Sequence, residues 1–158
     1  ATIFTRIING EIPGVFVWRD DSCVVFMSIN PMAFGHTLVV PIEEVDHWVD
    51  ASPELAAHLF EVTRHIARAQ RDAFTPARVG VIIAGYEVPH THIHVIPTNQ
   101  MRELSFANAA ASVDRKTLDA AAAAIGGRSD PTDTSNRLLS DECFGKYSVF
   151  CDPVEAIA

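Results

Sequence analysis

The sequence is poor in several features that mark large classes of protein. Positive charge is one: 12 Lys and Arg stand against 20 Asp and Glu, a formal net charge of -8. Phosphate backbones and anionic lipid surfaces select basic patches, so this balance excludes a generic polynucleotide or membrane-surface binder. Long apolar runs are another, since none approaches the roughly 18–20 residues that a bilayer span needs. The first residues, ATIFTRIINGEIP, have neither a basic stretch nor an apolar segment, so no secretory signal is read and a cytoplasmic location is expected. Cysteine is scarce and odd in number. Cys23, Cys143 and Cys151 have no metal-ligand spacing, which argues against a disulfide scaffold and for a reduced protein. There is no internal repeat.

What is present suits one packed core. The chain has 158 residues, 48% apolar and 20% charged, within the range of a single domain without a disorder signature. Residues 1–97 are densely patterned. Short β-rich bursts fall at Val15–Trp18, Cys23–Met27, Thr37–Val40 and Val79–Ala84, with a further strand from about His90 to Pro97. Asp20-Asp21 predicts a tight turn, and Asn30-Pro31 with Gly35 a longer connection. Neither Asp20-Asp21 nor Glu43-Glu44 has a group converging on it, so both pairs are read as solvated.

Ser52, Pro53 and Glu54 form a helix start, and Leu55, Leu59, Val62, Ile66 and Ala69 follow one helical stripe towards Phe74. His58 and His65 are read as surface or interface positions on this helix, and Cys23 as a core thiol. A second helix is expected over Val113–Ile125, ended by Gly126-Gly127. The Ser/Thr/Asp/Pro-rich stretch Arg128–Asn136 reads as a loop. The expectation is an α+β fold with an antiparallel sheet, a long helix after the third strand and a second, C-terminal helix. A catalytic domain would occupy 1–127, and 128–158 would form a loop-rich extension or pack on a dimer.

The informative stretch is Gly85-Tyr86-Glu87-Val88-Pro89-His90-Thr91-His92-Ile93-His94-Val95-Ile96-Pro97. Three histidines at alternate positions share one face of a strand, while Thr91, Ile93 and Val95 turn to the core. A chance row of structural histidines is one reading. A metal site is a second, but the outer pair would lie about 13 Å apart at the backbone, too far to share one ion easily. A third is phosphoryl transfer, because a neutral imidazole is a good nucleophile at pH 7 and neighbouring rings can hydrogen-bond and protonate. A fourth is nucleotide binding without turnover.

His90-Thr91-His92-Ile93-His94-Val95-Ile96 resembles the His-φ-His-φ-His-φ-φ signature of the histidine triad (HIT) family of nucleotide hydrolases and transferases, where φ is an apolar residue. Ile3–Ile8 followed by Gly10-Glu11-Ile12-Pro13 is similar to the family's opening strand and turn. Ile29-Asn30-Pro31 and Gly35-His36-Thr37-Leu38-Val39-Val40-Pro41 are similar to its second block. The resemblance covers roughly residues 3–97. It implies a homodimer acting on a purine nucleotide, cleaving nucleoside 5'-monophosphate derivatives such as adenosine phosphoramidates through a nucleotidyl-histidine. Dinucleoside polyphosphate hydrolysis and a nucleotide-binding, regulatory role are the alternatives.

Under this resemblance His92 is the nucleophile, His94 contacts the phosphate and the leaving-group side, and His90 with His36 completes the histidine cluster. Phe4, Ile7, Phe26 and Ile29 would form the base slot, and the backbone of Gly85, Tyr86, Glu87 and Val88 would approach the phosphate. Ser28 stands where the family usually has Asp or Asn for the ribose hydroxyls, and Tyr86 where it usually has Gln. The Asn often found upstream of the triad is missing from Val79–Ile83. Thr2 and Thr5 take the positions of the zinc-binding Cys-x-x-Cys that some members carry. No metal and no cofactor are therefore expected.

Overall fold

Alternation along the strands sorts the side chains into two cores, and this sorting places the histidines. A computed structural model describes residues 1–126; the expected loop at Arg128–Asn136 and the extension at 128–158 lie outside the described residues. The five strands are β1 (Phe16–Arg19), β2 (Cys23–Met27), β3 (Thr37–Pro41), β4 (Arg78–Ile82) and β5 (Ile93–Thr98). They form one sheet in the order β1-β2-β3-β5-β4, and every neighbouring pair is antiparallel. The helices are α1 (Ile3–Ile8), α2 (Pro53–Phe74) and α3 (Arg115–Gly126). The chain is α+β.

Cys23, Val25 and Met27 of β2, Val39 of β3, and Ile93 and Val95 of β5 point to the face that α2 and α3 cover, where they meet Leu59, Val62, Ile66, Leu118 and Ile125. Val24, Phe26, Leu38 and Val40 point the other way and pack with Phe4, Ile7 and Ile8 of α1. Helix α2 runs as its residues dictate. Ser52 Oγ accepts the Leu55 N–H at 3.1 Å, Pro53 occupies the first turn, and the helix ends at Thr75, before Pro76. Full burial of a side chain such as Ile66 contributes about 1.5–3 kcal/mol.

Two sequence expectations change. Ile3–Ile8, expected as a strand, is the helix α1. Thr2 Oγ1 caps it by accepting the Thr5 N–H at 3.2 Å, and Phe4, Ile7 and Ile8 are spaced to bury on one helical face. The strand expected from His90 begins only at Ile93. Upstream, the His90 N–H bonds to the Val88 carbonyl at 2.8 Å and the Thr91 N–H to the Val45 carbonyl at 2.7 Å, so this segment leaves the ladder. The three histidines are all buried, and His94 alone of them lies within β5.

Asp20 also departs from its reading as a solvated turn residue. It joins β1 to β2 while accepting hydrogen bonds from the Trp18 indole (2.7 Å), the Ser22 and Cys23 amides (2.8 Å each) and the His58 ring (2.8 Å). Burial opposes its ionisation, but these donors together hold the carboxyl below the usual range. His65 stacks on Trp18 with centroids 6.1 Å apart.

Candidate active site

The register of β3 against β5 sets Leu38 opposite His94, which puts His94 on the α1 face of the sheet beside Phe26 and Leu38. His36 enters from the turn before β3. That turn depends on Gly35, whose φ of +89° lies in the left-handed region and whose hypothetical Cβ would come within 2.4 Å of the Phe74 ring. Fully buried Gln70 of α2 holds turn and strand together, its Nε2 donating to the Gly35 carbonyl at 2.9 Å and the Val95 carbonyl at 3.0 Å.

Hydrogen bonds assign the tautomers. The Met32 N–H donates to His36 Nδ1 at 3.0 Å, so a neutral His36 carries its proton on Nε2 and donates to His94 Nδ1 at 2.9 Å. His94 then carries its own proton on Nε2, which is buried and has no hydrogen-bond partner among the described residues. Neutrality follows from the surroundings. Burial, then the neighbouring His94, pushes His36 down to about 3; burial, then His92, pushes His94 down to about 4.

His92 is oriented differently. Its Nδ1–H donates to the His90 carbonyl at 2.7 Å, which leaves the Nε2 lone pair to act as a nucleophile or acceptor. Its ring centroid lies 5.0 Å from that of His94 and 5.0 Å from that of Phe4. His90 sits behind. Its Nε2–H donates to the Pro41 carbonyl at 2.8 Å, and its Nδ1 accepts from the Thr2 hydroxyl at 2.7 Å. Burial lowers the His90 pKa, against the opposing pull of the Pro41 carbonyl. His90 therefore bears on the cluster through its backbone oxygen; its ring bonds to Pro41 and Thr2.

Two clefts meet at His92 and His94. The larger, about 300 Å³, brings together Phe4, Ile7, Phe26, Ser28, Ile29, Glu87 and Val88 with His36, His92 and His94. The second, about 260 Å³, adds Gly85 and Tyr86 to Glu87, the two histidines and Phe106. His90 lines neither. Gly85, at φ +78°, shapes the loop between them. Ser28 Oγ accepts the Asn30 N–H at 3.3 Å, and Tyr86 is 96% exposed.

Several contributors carry no sequence signal of their own. Phe106 meets the His94 ring nearly perpendicularly at 5.2 Å. Asn30 Nδ2 donates to the Ala110 and Ala111 carbonyls at 3.1 and 2.9 Å, holding that stretch over the cleft. Gln70 and Pro41 act from segments distant in sequence from the residues they bond, and Met32 from four residues before His36. Asn30 and Pro41 fall within the blocks that resemble the family, without a role assigned to either.

The residues do not fit a zinc site at the amino-terminal helix. Thr2 and Thr5 offer neutral hydroxyls 3.3 Å apart, and the Thr2 hydroxyl is bonded to His90. Asp20, Cys23 and His58 bring potential ligating atoms within 4.8 Å of one another. However, both Asp20 oxygens already accept hydrogen bonds, and burial pushes the Cys23 thiol far up and keeps it protonated.

A sheet that buries a triad of alternating histidines beside an apolar cleft defines a histidine-triad protein. The match to the HIT domain model over residues 9–101 agrees, and the chain belongs to the HIT family, a family of nucleotide-binding hydrolases and transferases. It is 37% identical over 100 residues to Protein hit of Bacillus subtilis, covering 60% of this chain and 69% of that one. A relative from Arabidopsis thaliana named adenylylsulfatase HINT3 is 29% identical over 103 residues, covering 62% and 52%. Among solved structures, a HIT-like protein from Bartonella henselae superposes with a TM-score of 0.70 at 31% identity, over 78% of this chain and 92% of the other. A Zn-bound histidine triad protein from Mycobacterium smegmatis does so with a TM-score of 0.65 at 27% identity, over 82% and 98%. No described helix is long and apolar enough to cross a membrane.

Proposed function

We propose that this protein hydrolyses purine nucleoside 5'-monophosphate derivatives, such as adenosine phosphoramidates, through a nucleotidyl-histidine intermediate on His92. The observation that carries this reading is the pairing of His92 Nδ1–H with the His90 carbonyl, which leaves Nε2 available next to a second ring whose Nε2–H is unpartnered. The base would lie in the apolar slot of Phe4, Ile7, Phe26 and Ile29, with Ser28 at the ribose and the Gly85–Val88 backbone at the phosphate.

His92 Nε2 attacks the α-phosphorus, forming an N–P bond as the bond to the leaving group breaks. The leaving group takes a proton from solvent as it departs. His94 Nε2–H stabilises the charge that develops on the phosphoryl oxygens, and its buried setting strengthens that bond. Water then attacks the phosphorus and releases a proton to solvent, the N–P bond breaks, and the nucleoside monophosphate leaves with His92 regenerated. His36 and His94 act as neutral imidazoles, as their buried surroundings favour. Homodimerisation belongs to the same reading; β4 is an edge strand whose Val81 is 43% exposed.

The test is a quench of the reaction with an adenosine phosphoramidate followed by peptide mass spectrometry. An adenylyl adduct on His92, with turnover lost but AMP binding kept in His92→Ala, is the expected result. Undiminished turnover by His92→Ala would sink the proposal.

A further inference from the structure

The two clefts differ in chemistry from what a polyanionic substrate needs. Among the described residues, no Lys or Arg lines either one, and Glu87 is the charged side chain common to both. The smaller cleft shares Glu87, His92, His94 and Phe106 with the larger one and adds Gly85 and Tyr86. A carboxylate with two aromatic rings at hand is the environment that attracts an ammonium group, by charge and by the negative faces of the rings. It repels a carboxylate or a second phosphate. Beyond the clefts, residues 1–97 carry 6 basic residues, all arginine, against 11 acidic ones.

Resting on the hydrolase reading above, we infer that the smaller cleft is a leaving-group subsite in which Glu87 selects leaving groups that carry a cationic amine of their own and disfavours anionic ones. The apolar slot takes the nucleoside, the histidines hold the phosphorus between the clefts, and the leaving group extends past Phe106 and Tyr86. Glu87 is exposed, so water weakens its field. The discrimination is therefore roughly two- to fivefold per unit of charge, decreasing as salt is raised.

The test uses three adenosine phosphoramidates of matched length, made from 1,3-diaminopropane, butylamine and β-alanine. Their tails are cationic, neutral and anionic. The readout is the ratio of kcat/KM values within one preparation, which partial unfolding of a variant does not alter. The wild type should rank the tails cationic, neutral, anionic. Glu87→Gln should compress the ranking, and Glu87→Lys should reverse it. Turnover without ranking, or a ranking unchanged in Glu87→Gln, overturns the subsite and leaves the hydrolase reading intact. If none of the three is turned over, calorimetric binding to the wild type and to Glu87→Gln decides. Affinities ranked by tail charge and compressed in the variant retain the subsite while the hydrolase reading fails; unranked affinities overturn both.

Discussion

His36 Nε2 lies 2.9 Å from His94 Nδ1, and this contact determines which nitrogen of His94 carries a proton. The order of donation runs from the Met32 amide through His36 to His94, so the backbone N–H of a residue lining the cleft selects which nitrogen of His94 is the donor.

Replacing His36 tests that chain of donors. His36→Phe keeps an aromatic ring but removes the donor to His94 Nδ1, and the loss of one buried hydrogen bond costs about 1–3 kcal/mol. As a positioning residue, His36 should act mainly on kcat, with a fall of about ten- to a hundredfold. His36→Gln, which can still donate, should recover part of it. A change confined to KM would refute this role.

Acid should weaken the fold early. His36 and His94 resist protonation in the folded state, with pKa values of about 3 and 4, while unfolded histidine titrates near 6.5. Between these limits the unfolded chain binds more protons than the folded one. Stability is therefore full above about pH 6.5 and falls as pH drops below it. Thermal melts from pH 7.5 to 5 should show a declining Tm, with a shallower slope in His36→Phe. A flat profile over that range contradicts the buried neutral pair.

Gly35 admits no side chain. Alanine there would adopt φ +89° and place its Cβ against Phe74, so Gly35→Ala should lose at least about 2 kcal/mol in urea unfolding. Activity should fall with it, because His36 follows directly. A loss below about 0.5 kcal/mol would show that the turn relaxes freely.

Phe106 packs edge-on against the His94 ring. Phe106→Ala would admit water to His94 Nε2, relieving the burial that is the largest cause of its low pKa. NMR titration should find His94 above its present value of about 4. An unchanged value would mean that the rest of the pocket, not this ring, excludes solvent.

Much of the site can be read from the chain alone because it rests on local periodicity. The β-rich runs that become Thr37–Pro41 and Ile93–Thr98 and the capped stripe of Pro53–Phe74 are each short-range patterns tied to one geometry. Where local signals are weak, tertiary contacts prevailed. A six-residue segment such as Ile3–Ile8 has no intrinsic preference strong enough to choose, and burial of Phe4, Ile7 and Ile8 on Val24, Phe26 and Leu38 makes it a helix. The triad leaves its strand at His92 because Val45 and Val88 supply carbonyl partners that no alternation rule contains.

Residue types and spacing thus specified a row of imidazoles and the side of the sheet to which His94 belongs. Their protonation came from elsewhere. The Met32 amide, the Pro41 carbonyl and the Thr2 hydroxyl each lie in a segment with another local role, and folding brings them to the rings. A hydrogen bond is read from two ends. The sequence supplies each end separately, and the tertiary structure decides which ends meet.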